Sequence, residues 1–123
     1  MERDGIPLSV VAAAMKGESV GIASITASEL LVGVHRADTT MRRHRRLDFV
    51  EGILHSIPIV NFELDIARTH ARISLELREA GQSIGAHDLL IAATALTIGY
   101  GVMTLNVRHF DRVPDLEVTI PSW

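Results

Sequence analysis

Gly85-Ala86-His87-Asp88-Leu89-Leu90-Ile91-Ala92-Ala93-Thr94-Ala95-Leu96 reads as the opening turns of a buried helix. Leu89, Ala92, Ala93 and Leu96 recur at helical spacing, and Ile91 and Ala95 widen the apolar face. Gly99 stands just past the last periodic residue, where a helix stop belongs. Asp88 brings a carboxylate into the first turn of this run, facing the positive end of the helix dipole. Two readings of it are open. It is a helix-start acid near the cap, or it is a carboxylate held beside a core and aimed out of the end of a sheet.

Outward from that helix, short apolar runs alternate with helical ones. Val20-Gly21-Ile22-Ala23 has the make-up of a buried strand. It leads into Thr26-Ala27-Ser28-Glu29, a capping-box pattern in which Thr26 caps and Glu29 reaches back, so a helix is expected to about Arg36. A second helix is expected from Thr40 to His55, turning Leu47, Val50, Ile53 and Leu54 inward. Ile57 to Val60 reads as a strand, and Pro58 argues for an edge or a strand start. Leu64 to Ala80 is a long amphipathic helix closed by Gly81, with Ile66, Ala67, Ala71, Ile73, Leu75 and Leu77 on its apolar side. After the Asp88 helix come a strand at Gly101 to Leu105, a loop or short turn over Asn106 to Arg112, and a last strand at Leu116 to Ile120. Toward the N-terminus, Leu8 to Met15 is expected to be a short helix with Ser9 as N-cap, ending at Lys16-Gly17. This alternation predicts an α/β fold over residues 1–123 as a single domain, with a mostly parallel central sheet flanked by helices. In such sheets ligands bind outside the carboxyl ends of the strands.

Composition narrows the chemistry. The 123 residues are 47% hydrophobic but only 4% aromatic, so Leu, Ile, Val and Ala have to build the core. The absence of Cys excludes disulfides and thiolate metal sites, leaving carboxylates, amides or His to hold any metal. A net charge of −3 argues against coating nucleic acid by charge alone, though not against a small nucleic-acid site. No apolar run reaches transmembrane length and no signal-peptide pattern opens the chain, so a soluble, cytoplasmic protein is expected, with no membrane association.

By strand position, Glu29, Asp88, Thr104 and Asn106 should meet at one end of the sheet. Two carboxylates with amide and hydroxyl oxygens make a hard-oxygen site suited to Mg²⁺ or Mn²⁺. Such an ion can activate water and stabilise charge on a phosphodiester. Structural roles also account for two of these residues: Glu29 as the capping-box acid and Asn106 as a turn residue. Arg42-Arg43-His44-Arg45-Arg46 is the basic cluster of the chain, and Arg42, Arg45 and Arg46 share a helix face. That face is either solvated or a phosphate contact. The six His show no metal-ligand spacing, and His87 and His109 border the site.

Three segments taken in order carry a resemblance. Ser24-Ile25-Thr26-Ala27-Ser28-Glu29-Leu30-Leu31-Val32-Gly33-Val34, then Ile84-Gly85-Ala86-His87-Asp88-Leu89-Leu90-Ile91-Ala92-Ala93, then Met103-Thr104-Leu105-Asn106-Val107-Arg108-His109-Phe110, resemble a PIN domain of the VapC toxin type from about Leu8 onward. The resemblance implies a PIN-like α/β sandwich and a Mg²⁺-dependent (or Mn²⁺-dependent) endoribonuclease. It also implies the toxin half of a toxin–antitoxin pair, with tRNA or rRNA as substrate, a cognate VapB-type antitoxin and a homodimer. Glu29 matches the family's acid after its second strand, and Asp88 matches its central metal-binding acid. Asn106 and His109 stand where relatives place acids or amides, so Asn106 is expected to hold a ligand water or the scissile phosphate. On this reading Glu29, Asp88 and Asn106 are catalytic, Asp88 and Glu29 bind metal, and Arg42, Arg45 and Arg46 contact RNA.

The resemblance also implies a hydrophobic first strand ending in Asp, and no such strand precedes Met1. Asp4 is a poor substitute, since it falls beyond that position. The central place in the sheet is therefore expected to be a bare apolar slot with unpaired backbone groups. A rival of another class follows: a catalytically inactive, truncated PIN domain serving as an antitoxin-binding or dimerisation module. A doubly wound signalling domain would want a switch Lys late in the sheet, and the only Lys here is Lys16.

Overall fold

The computed structural model describes residues 2–3, 6–7, 9–12 and 19–121. The strands are β1 (Glu2–Arg3), β2 (Ile6–Pro7), β3 (Val10–Ala12), β4 (Val20–Ala23), β5 (Ile59–Val60), β6 (Gly101–Met103) and β7 (Val118–Thr119). The helices are α1 (Ser24–His35), α2 (Thr40–Ser56), α3 (Leu64–Glu79), α4 (Ala86–Ile98) and α5 (Val107–Phe110). β1 and β2 form a separate antiparallel pair. The other strands form one sheet in the order β5-β4-β3-β6-β7.

β4 runs parallel to β5 and β6 runs parallel to β7, while β3 is antiparallel to both β4 and β6. β4, β5, β6 and β7 therefore all point one way, and β3 alone opposes them. The expected bare slot is not there. Val10 pairs with Met103, Val11 with both Val102 and Gly21, and Ala12 with Gly101 and Val20, so the central backbone groups have partners. This also corrects the helix expected over Leu8 to Met15, because Val10–Ala12 is strand. Cross-strand pairing at the centre of a sheet outweighs the modest helix preference of an Ala-rich segment. Asp4, Lys16 and Gly17 lie outside the described residues.

Ile22 and Ala23 are adjacent in β4 and both buried, so the sheet is covered on both faces there. α4 lies against β3, β4 and β6; α3 and α1 pack on α4, and α2 packs on α1. Ala92, Ala93 and Ala95 are completely buried and let neighbouring elements approach α4 closely. Around them Ile66, Ile73 and Leu77 of α3, Val102 of β6, and Phe110 and Val113 complete the main core. A smaller cluster of Leu30, Val34 and Val50 joins α1 to α2.

The two helix stops occur as expected. Gly99 ends α4 at φ 76°, with the Tyr100 N–H bonded back to the Ala95 carbonyl. Gly81 follows α3 at φ 67°, with the Gln82 N–H on the Leu77 carbonyl. β5 is an edge strand, and the Pro58 carbonyl receives the Ile22 N–H. Two amphipathic faces are narrower than expected. On α2, Val50 is buried and Ile53 and Leu54 are half-buried, whereas Leu47 is exposed. On α3, Ala71 and Leu75 are exposed. Each helix docks along one stripe, so apolar residues off that stripe stay in water.

Candidate active site

β4 passes directly into α1, which begins at Ser24 with Ala23 as a cap that makes no side-chain bond. Thr26 therefore lies inside the first turn rather than at the cap, and the expected capping box is absent. The Thr26 side chain is buried and its Oγ1 has no hydrogen-bond partner among the described residues. Glu29 does not fold back on its own helix. Its Oε2 accepts from His87 Nδ1 at 2.7 Å, across to the first turn of α4. The capping-box role of Glu29 is thereby replaced by a link between two helices.

α4 starts at Ala86, making Asp88 its third residue, where the dipole favours a carboxylate. No side chain caps this helix. Asp88 instead points toward the turn after β6. Its Oδ2 accepts from Asn106 Nδ2 at 3.0 Å and lies 3.2 Å from His109 Nδ1. Asn106 Nδ2 is also 2.9 Å from His109 Nδ1. The Asp88 side chain is 22% exposed against 43% for Glu29, so Asp88 is the more desolvated of the two acids.

Behind Asn106 stands a buried hydroxyl. Thr104, 1% exposed, accepts the Asn106 backbone N–H on Oγ1 at 2.9 Å. The same oxygen is 2.9 Å from Ser9 Oγ. Ser9 is thus not a helix cap. Because β3 runs against its neighbours, its amino end reaches the carboxyl ends of β4 and β6, and Ser9 sits there.

Glu29, Asp88, Thr104 and Asn106 are all at the carboxyl ends of β4 and β6, as the sequence predicts, and His87 and His109 are in contact with the two acids. Sequence reading placed these His at the border of the site. It had no signal for their direct bonds, which join residues far apart in the chain. The basic face is elsewhere engaged. Arg42 Nη1 bonds both Asp38 oxygens at 2.9 Å, and that bond, with the guanidinium charge, holds the Asp38 carboxyl below its ordinary 3.8. Arg46 Nη1 donates to the Gly33 carbonyl at 2.8 Å, and Arg45 is exposed.

The donor set is two carboxylates, an amide and hydroxyls, without thiolate. Among the described residues no three His, Asp or Glu converge to hold a metal. Mg²⁺ is commonly held through one or two carboxylates with the rest of its shell water, so this set fits a hydrated divalent ion. A cleft of about 410 Å³, lined by Ser24, Ser28, Phe62, Leu90 and Thr94, opens between α1 and α4.

The PIN domain family matches residues 5–116. The chain belongs to the PIN domain family. Ribonuclease VapC1 of Rickettsia felis is 42% identical over 101 residues, covering 82% of this chain and 75% of that protein. The tRNA(fMet)-specific endonuclease VapC of Salmonella typhimurium is 32% identical over 97 residues, covering 79% and 71%. Among solved structures, VapBC2 from Rickettsia felis bound to a DNA fragment from their promoter superposes with a TM-score of 0.75 at 28% identity, over 88% of this chain and 79% of that one. VapBC-5 from Mycobacterium tuberculosis gives 0.73 at 30% identity, over 82% and 81%. The α/β sandwich is thus the PIN fold, and the VapC type is the branch it resembles.

Proposed function

We propose that this PIN domain is a divalent-metal-dependent endoribonuclease, the toxin of a VapBC-type module, hydrolysing RNA phosphodiester bonds with Mg²⁺ or Mn²⁺. Ribonuclease relatives and VapBC neighbours support the class, and a VapB-type antitoxin is the partner they point to. The observation that carries the site assignment is that Glu29 and Asp88 each reach off their own helix to the same end of the sheet. When bound, the ion supplies an activated water and neutralises charge building on the phosphate. Asp88 would hold the ion. Glu29, kept in place by His87, would hold it or orient the attacking water. Asn106 would turn its amide to the same ion or to a water on it. Phe62, about half exposed at the cleft, offers a stacking surface to an RNA base. Arg42, Arg45 and Arg46 contact the RNA backbone, which predicts salt-sensitive binding.

The test is cleavage of RNA by the purified chain with Mg²⁺ or Mn²⁺, beside Asp88→Asn and Glu29→Gln. Both variants should lose about 10²-fold or more in rate with an unchanged Tm. Full activity in either removes that residue from the site.

A second reading rests on one observation: no three His, Asp or Glu converge among the described residues. On it the chain binds an antitoxin or a second copy without cutting RNA. Metal-dependent cleavage that Asp88→Asn abolishes would dismiss it.

A further inference from the structure

Asp88 Oδ2, Asn106 Nδ2 and His109 Nδ1 form a closed triangle with edges of 3.0, 2.9 and 3.2 Å. Hydrogen bonds cannot satisfy all three edges. A ring nitrogen carries one proton or one lone pair, never both. If Nδ1 accepts from the Asn106 amide, its lone pair faces a carboxylate lone pair. If Nδ1 donates to Asp88, its N–H faces an amide N–H. One edge is always a contact of like against like.

A divalent cation removes that conflict. With the Asn106 amide turned over so that its oxygen points inward, all three groups present lone pairs to one point. Adjacent ligands of an octahedral ion bound at about 2.1 Å lie roughly 3 Å apart, which is the size of this triangle. The three groups are also held from behind. Thr104 fixes the Asn106 backbone, and the completely buried Phe110 anchors the turn that carries His109.

We propose that His109 is a direct nitrogen ligand, forming with Asp88 and Asn106 one face of the metal site. The chain then favours first-row transition ions over Mg²⁺, because an imidazole nitrogen suits them better than it suits Mg²⁺. This rests on the nuclease reading for its purpose, but it concerns binding and is tested without RNA.

Calorimetric titration of the full chain with Mn²⁺, Co²⁺ and Mg²⁺ gives the preference. Mn²⁺ should bind at least about tenfold more tightly than Mg²⁺, and Co²⁺ more tightly than Mn²⁺. His109→Gln should bring Mn²⁺ and Mg²⁺ affinities to within about threefold, since an amide oxygen replaces the nitrogen. The decisive readout is electron spin-echo modulation of bound Mn²⁺. A directly coordinated imidazole nitrogen should be present in the parent chain and in His87→Ala, and absent in His109→Gln and His109→Ala. Circular dichroism confirms that each variant is folded. No Mn²⁺ binding, no nitrogen signal in the parent, or an unchanged signal in both folded His109 variants overturns the proposal. RNA cleavage is scored separately. Cleavage lost in Asp88→Asn, with no nitrogen signal in the parent, leaves the nuclease reading standing and removes only this ligand. A nitrogen signal without cleavage does the reverse.

Discussion

Replacing Thr26 by Val should stabilise the protein, and the sign of the effect separates two accounts of the α1 start. Thr26 is 3% exposed and its Oγ1 is buried with no partner among the described residues. A buried hydroxyl without a hydrogen bond costs about 1–3 kcal/mol. Val has nearly the same shape and helix propensity, so the substitution removes that cost without opening a cavity. A rotation of the Thr side chain toward a carbonyl one turn back limits the penalty, which places the expected gain at about 1–2 kcal/mol. For a chain of this length that raises Tm by ~4–8 °C. With a urea m-value of about 2 kcal/mol/M, the midpoint moves up by ~0.5–1 M at constant m. If Thr26 were instead the cap of a capping box, Val would remove a helix-start bond and cost ~0.5–2 kcal/mol. A lowered urea midpoint in Thr26→Val would refute the orphaned-hydroxyl account.

Gly101→Ala should be severely destabilising, because a Cβ there would stand 2.6 Å from the Glu117 backbone carbonyl across the β6–β7 pair. A loss of more than ~1–3 kcal/mol in urea unfolding is expected, and wild-type stability would show that β7 does not approach so closely. Arg42→Ala should return the Asp38 carboxyl to its ordinary pKa, followed by NMR titration of its side chain. The lowered pKa means that the pair contributes above about pH 3.8 and is lost as pH falls through the lower folded value. Because both side chains are largely exposed, thermal stability near neutral pH should barely change.

Local features with a local cause were legible in the sequence. Gly81 and Gly99 stop their helices where the apolar period ends, because a left-handed residue is needed there whatever surrounds it. Asp88 was found for the same kind of reason, as a carboxylate in the first turn of an otherwise apolar helix. Of the two readings open for Glu29, the capping-box one is removed, because its carboxylate bonds His87 instead of its own helix start. A Thr-x-x-Glu pattern cannot distinguish the cap of a helix from its first turn, and α1 starts early because β4 leads into it without a loop. β3 was misread because its conformation is decided by two partner strands rather than by its own residues. The bonds of His87 to Glu29 and of His109 to Asp88 were beyond reach, since they form only when α1, α4 and the β6–α5 turn meet.

The reversed central strand has a consequence for the site it borders. Where strands run parallel, only their carboxyl ends deliver residues to the ligand end of the sheet. β3 delivers its amino end, so the residue arriving between β4 and β6 is Ser9, a neutral hydroxyl bonded to Thr104. A PIN domain of the type this chain resembles would bring an Asp to that place. The described site therefore has two carboxylates to offset the charge of a divalent ion, and a third donor must come from elsewhere. On the proposed reading Asn106 and His109 would supply it, on a turn anchored by the buried Phe110. A site with fewer negative charges binds a hard, strongly hydrated ion weakly, whereas a nitrogen donor recovers affinity for ions that accept it. On the proposed metal reading, strand direction and metal preference would be coupled: β3 brings a neutral hydroxyl where an oxygen anion would otherwise stand, and the turn after β6 brings an imidazole.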